Sequence, residues 1–265
     1  MIINKIKRLI ENKYLLREFI IRDLRSRYIG STMGFFWSVI NPIVTLIIYT
    51  FLFSVILKVK LGGESGITNF ALYLFCGMLP WAAFQETVQR STTCIIDNGN
   101  LIKKLVFPAK ILPVYISFSS LITEFISIII LIIAIICILH FVSFYIILLP
   151  LIIFFQLLFA LGFGFLLATV NVFFRDTAPL TGVFLTVWLY LTPIFYPVSI
   201  VPDKFKGLYM LNPMTHLVGI YRDIFLKNQM FSLKSLAYFS LISIVVFAIG
   251  YFLFTKHHRK FVDLL

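Results

Sequence analysis

Long uncharged runs separated by short polar stretches dominate the chain. Residues 35–57, FFWSVINPIVTLIIYTFLFSVIL, hold no charged side chain. A helix needs about 20 apolar residues to cross a bilayer, so this run predicts a first span. Comparable runs at 69–89, 111–139, 144–174, 179–200 and 235–254 predict five more. Glu86 lies near one end of the second run and Glu124 within the third. Residues 201–230 follow a different pattern. The middle part, 208–226, is apolar but holds His216, Arg222, Asp223 and an Asn212-Pro213 break. This predicts a re-entrant or interfacial segment before the last span instead of a seventh crossing, because irregular backbone at membrane depth survives only inside protein or along a wet cavity. The expected fold is all-α: a six-span polytopic membrane protein whose single transmembrane domain covers 1–265.

Residues 1–30 have another periodicity. Ile2, Ile3, Ile6, Leu9, Ile10, Leu16, Phe19 and Ile20 recur at helical spacing, while Lys5, Lys7, Arg8, Glu11, Lys13 and Arg17 mostly fill the other face. Such a helix is suited to lie along the membrane interface. Charges run throughout residues 1–34, without the apolar core of a secretory leader, so no cleavable signal is expected.

Composition supports the membrane reading. Apolar residues make up 60% of the 265 and charged residues 13%, with a mean hydropathy of +1.00. A soluble domain averages about 45–50% and about 25%. The net charge of +12 does not point to nucleic acid, because the cations cluster at the ends of apolar runs, where anionic headgroups lie. With six spans, sixteen Lys and Arg fall on the side of the termini and seven on the other. The bias places both termini and the 90–110 loop in the cytoplasm of a multi-pass plasma-membrane protein, the bacterial inner membrane. It also makes the 201–230 region extracytoplasmic.

Chemistry is sparse. No G-x-x-x-x-G-K-[ST] phosphate loop occurs, so the chain is not expected to hydrolyse ATP. Cys76, Cys94 and Cys137 lack metal spacing and read as small apolar residues. His257-His258 sits in a charged tail and reads as solvated. No catalytic residue, metal site or bound cofactor is expected. An ion-coupled carrier buries several ionisable residues near the midplane, and the spans here carry few. The chain reads as a membrane path without a motor of its own.

One connector departs from a plain polar turn. Within 90–110, the stretch beginning NGNLIKKLVFPAKILP mixes Leu101, Leu105, Val106 and Phe107 with Lys103 and Lys104, followed by Pro108 and Pro113. A greasy centre with a charged edge fits a docking surface. Lysines snorkelling from lipid would also give it.

Four segments in collinear order resemble one family. They are RDLRSRYIGSTMGFFWSVINPIVTLIIYTFLFS, GMLPWAAFQETVQRSTTCIIDNGNLIKKLVFPAKILP, NVFFRDTAPLTGVFLTVWLYLTPIFYP and LNPMTHLVGIYRDIF. They are similar to the permease subunits of ABC-2-type exporters of polysaccharides and polyol phosphates, which serve O-antigen, capsule and teichoic acid export. The resemblance implies a homodimer bound to two copies of a separate ABC ATPase, which carries the ATP and magnesium. It implies that the 90–110 loop enters a groove of that ATPase, through Asn98, Leu101, Lys103, Lys104, Leu105, Phe107 and Pro108. The implied cargo is a lipid-linked glycan. Aromatic faces give sugars sliding contacts, which singles out Trp37, Tyr49, Trp81, Phe84, Trp188, Tyr190 and Tyr196 for the path. Asn41-Pro42, Leu79-Pro80 and Thr192-Pro193 mark expected kinks. His216, Tyr221 and Arg222 are exit candidates, with Arg222 either meeting a substrate phosphate or pairing with Asp223. An ABC-2 permease for drugs or lipids, an ion-coupled carrier and a membrane-embedded transferase are the competing functions.

Overall fold

A computed structural model describes residues 2–27, 36–56, 70–104 and 107–265. Among them every regular element is helical, as expected. The elements are α1 (Ile2–Ser26), α2 (Trp37–Tyr49, continued by a π-helical stretch Thr50–Ile56), α3 (Phe70–Asp97), α4 (Gly99–Lys104) and α5 (Ile111–Leu139). Then come α6 (Leu149–Phe173, preceded by a 3-10 stretch Phe144–Leu148), α7 (Thr177–Leu191), α8 (Asp203–Leu211) and α9 (Pro213–Phe225). The chain ends in α10 (Leu233–His257) and α11 (Phe261–Leu264), joined by a 3-10 turn.

Among the described residues three helices are long and apolar enough to cross a bilayer: Ile111–Leu139, Phe144–Phe173 and Leu233–Leu264. Trp37–Leu52 and Thr177–Leu191 are shorter apolar helices. α3 has ample length, but its second half carries Gln85, Glu86, Gln89 and Arg90. The run at 179–200 is not one helix. Thr192 is extended at φ −96° and ψ 132°, the conformation that a following proline imposes, and α7 stops at Leu191. Pro42 and Pro80 lie within α2 and α3, and both helices continue past them.

α3 is the central helix, packed on α5, α6 and α9. Trp81 and Phe84 are fully buried on it, with Phe159, Phe163 and Trp188 around them. α6 pairs with α10 at very short range. A Cβ built on Gly250 would stand 2.1 Å from the Gly162 carbonyl oxygen, and one on Gly162 would stand 2.6 Å from the Phe247 nitrogen. Small residues at a crossing let two membrane helices touch through their backbones. Apolar side chains on the outer faces of α2, α5, α7 and α10 are exposed, as a lipid-embedded bundle requires.

Candidate functional site

Two ends of the bundle carry the candidate residues, and α3 connects them. Near its start Tyr73 lies over Arg222 and its hydroxyl donates to the Tyr196 carbonyl, while near its end Cys94 accepts from Asn98.

At the second end, the apolar side of α1 packs on α5. Phe19 packs between Phe107 and Tyr115 in tilted contacts, with ring centroids 5.6 and 5.3 Å away. The polar side of α1 closes an ion network onto α3. Asp23, buried, takes Arg27 at 3.1 Å and is also paired with Arg90. Glu86 takes Arg27 at 2.6 Å and Arg90 at 3.1 Å. Burial alone would raise the Asp23 carboxyl, but the hydrogen bonds and charges of Arg90 and Arg27 outweigh it and hold it below the ordinary carboxylate range.

Beside this clasp, Asn98 starts the short α4. Its Nδ2 donates to the Cys94 carbonyl at 2.8 Å, and its own carbonyl accepts from Leu101 and Ile102. Ile102 is buried, Leu101 half-buried and Lys103 exposed. Phe107 turns inward onto Phe19, and the Pro108 carbonyl accepts from Ile111 to open α5. Leu105 and Val106 lie outside the described residues. A cleft of about 470 Å³ runs between α1 and α4, with Arg22, Asp23, Ser26, Asp97, Asn98 and Leu101 among its walls. The other side of α4 is covered by α11: Phe261 is fully buried against Phe254, and Leu265 lies 3.6 Å from where a Gly99 Cβ would be.

The first end is aromatic. Tyr196 donates to the Tyr190 carbonyl at 2.5 Å and lies 2.7 Å from the Tyr209 hydroxyl. An apolar cleft of about 370 Å³ lies there, walled by Leu191, Tyr196, Val201, Phe205, Leu208 and Tyr209. Trp188 closes the top of the core, with Nε1 donating to Asn212 Oδ1 at 2.9 Å. Asn212 also caps α9 by accepting from the Met214 N–H. The path candidates thus divide. Trp37 and Tyr190 are exposed, Tyr49 and Tyr196 are half-buried, and Trp81, Phe84 and Trp188 form the packed core.

The exit candidates are likewise spread. His216 is bonded to the Met210 carbonyl at 2.8 Å and lies against Tyr238. Arg222 is buried and grips the chain after α7, donating to the Pro193 and Ile194 carbonyls at 2.7 Å each. The Tyr73 ring covers its guanidinium, 3.4 Å from carbon to centroid. It does not pair with Asp223, which takes Lys227 at 2.9 Å and Gln229 at 3.1 Å instead. Tyr221 is buried with Glu124 and Gln156: its hydroxyl lies 2.8 Å from Glu124 Oε1 and 2.8 Å from Gln156 Oε1, while Gln156 Nε2 lies 2.7 Å from Glu124 Oε2.

Comparison with known proteins decides the family. The model described as ABC-2 type transporter matches residues 14–226. The chain belongs to the ABC-2 type transporter family. It is 29% identical to an O-antigen export system permease protein RfbA of Myxococcus xanthus over 263 residues, covering 98% of this chain and 99% of that one. An RfbA permease of Klebsiella pneumoniae is 29% identical over 250 residues, 92% of each chain. The polysialic acid transport protein KpsM of Escherichia coli is 22% identical over 239 residues, 90% of this chain and 91% of that one.

This ABC-2 transporter is therefore a multi-pass, all-helical membrane protein. Its structure joins residues that no local motif connects. The Asp23–Arg90 contact spans 67 positions, and the Glu124–Tyr221 contact spans 97. Asp23 and Arg27 had a local signal, since residues four apart share a helix face. Gln156 had none beyond being a polar residue in an uncharged run.

Proposed function

We propose that this chain is the permease of an ATP-driven exporter that moves a lipid-linked polysaccharide or polyol phosphate outward across the plasma membrane. The near full-length similarity to permeases named for O-antigen export, with capsule-type transport in a more distant relative, carries this reading. It favours a glycan cargo over drugs or simple lipids. The missing phosphate loop fits an energy source on another chain. Two protomers would form the conduit with two ABC ATPase subunits, which hold ATP and magnesium. Each protomer would cross six times with both termini cytoplasmic, and α8 and α9 would be the re-entrant pair.

In this arrangement the end bearing α1, α4 and α11 meets the ATPase. Leu101 and Lys103 are on hand for contact, while Ile102 and Asn98 anchor α4 to the bundle. Motion imposed on α4 then reaches α5 through Phe107 and Pro108. A strain lacking the gene is expected to accumulate lipid-linked glycan inside the cell, identified by mass spectrometry; an unchanged glycan pool would reject the cargo. Replacing Leu101, Lys103 and Lys104 together by Ser is expected to reduce co-purification of the ATPase at least tenfold, with the permease still in the membrane. Wild-type recovery of the ATPase would reject α4 as the docking element.

A further inference from the structure

We propose that Glu124 holds a proton as a neutral carboxylic acid, and that in this form it ties α5, α6 and α9 into one unit. Three buried side chains form a closed triangle: Glu124 Oε1 to Tyr221 Oη at 2.8 Å, Tyr221 Oη to Gln156 Oε1 at 2.8 Å, and Gln156 Nε2 to Glu124 Oε2 at 2.7 Å. Every edge is at hydrogen-bond length, so every edge needs a proton. The tyrosine supplies one and the amide nitrogen supplies one; an ionised carboxylate supplies none. One edge would then set two bare oxygens 2.8 Å apart. A proton on Glu124 completes the ring, with Glu124 donating to Tyr221, Tyr221 to Gln156, and Gln156 back to Glu124.

The count does not depend on how the amide is oriented. If the Gln156 nitrogen and oxygen are exchanged, the amide donates to Tyr221 and Tyr221 donates to Glu124. The remaining edge again joins two oxygens and again needs the carboxyl proton. Nor does a cation stand in for that proton. Among the described residues no ion pair includes Glu124. Arg222, next to Tyr221, is committed to the Pro193 and Ile194 carbonyls. Arg27, which reaches the Thr123 hydroxyl at 3.4 Å, is committed to Asp23 and Glu86.

The ring fixes the place of α9. Tyr221 is held from α5 and α6, and its neighbour Arg222 holds the chain that follows α7. Glu124 is thus a positioning residue for the aromatic end of the molecule, acting through Tyr221.

Infrared spectroscopy of the purified full-length chain in lipid bilayers at neutral pH tests this. A protonated carboxyl has a C=O stretch separate from amide and carboxylate bands. The wild type is expected to show that band, Glu124→Gln to lose it, and Tyr221→Phe to shift it by removing one hydrogen bond to the acid. Glu124→Gln is also expected to keep the wild-type melting midpoint, since an amide N–H replaces the acid O–H, while Glu124→Ala lowers it. The proposal is overturned if the wild-type and Glu124→Gln spectra agree in the acid region. It is equally overturned if Tyr221→Phe leaves the band unmoved, or if Glu124→Gln melts with Glu124→Ala or fails to accumulate.

Discussion

Two buried or half-buried cations show how one residue type serves different ends in this protein. Among the described residues Arg222 pairs with no carboxylate; its two terminal nitrogens donate to two carbonyls and the face of Tyr73 covers it, while its buried Nε has no partner there, so its charge serves local backbone geometry. That arrangement leaves its two terminal nitrogens engaged and removes it as a free phosphate contact in this conformation. Arg90 belongs to an ion network whose centre is Asp23. The Asp23 carboxyl is held below its ordinary value of 3.8, so the folded state binds that proton less readily than the unfolded chain does. The stabilisation is therefore present above the ordinary carboxylate value and disappears as pH falls through the lowered one. Asp23→Asn is expected to weaken the α1–α3 clasp by about 2 kcal/mol at neutral pH, between exposed and buried ion pairs. Amide hydrogen exchange along α1 would report it as faster exchange in the variant. The difference from wild type should shrink as pH drops from about 6 towards about 3, and a constant difference would show that the charge is not what matters.

At the level of elements, backbone contact sets how α6 and α10 pair. The oxygen of Gly162 occupies the space a Gly250 side chain would need, so no rotamer adjustment relieves a methyl there. Gly250→Ala is expected to cost about 3 kcal/mol, the upper part of the range for overpacking, and to lower the melting midpoint in detergent. Gly182→Ala in α7, where nothing lies within 4 Å, should stay within about 1 kcal/mol of wild type. Equal effects would remove the special status of the α6–α10 crossing. The long elements were readable because a bilayer demands uncharged length. The run at 111–139 is α5 with the same bounds, and 144–174 differs from the observed helical stretch by one residue. α7 was less readable. Hydropathy continues to 200, whereas the backbone obeys Pro193 and leaves the helix after Leu191. The site followed the same division. The α4 connector announced itself by an unusual mixture of types, but Phe107 faces Phe19 because α1 returns to that surface, which no local pattern encodes. The triangle at Glu124 joins residues 32, 65 and 97 positions apart, and only the packing of three helices brings them together.

The whole molecule has its bulk where a single-chain channel would need space. Trp81 and Phe84 are fully buried halfway along α3, and Phe159 and Trp188 close the gaps beside them. A glycan chain passing through one protomer would have to dismantle this core, giving up several aromatic contacts of about 0.5–1.5 kcal/mol each beyond their buried area. The outer faces differ. Trp37 on α2 and Leu180, Val183, Phe184 and Tyr190 on α7 are exposed, and the aromatic cleft opens beside the end of α7. A path between two copies, walled by exposed faces of this kind, leaves each core intact. It also separates two groups of aromatics that composition alone cannot distinguish. A chain with Cys76 and Cys94 changed to Ala and Cys137 to Ser gives a clean background for single cysteines. In the assembled exporter, Tyr190→Cys is expected to react with a hydrophilic maleimide and Trp81→Cys to stay unmodified. Ile129→Cys, on an exposed stretch of α5, should remain protected by lipid. Reaction at position 81 with protection at 190 would place the path inside the protomer and remove the need for a second copy.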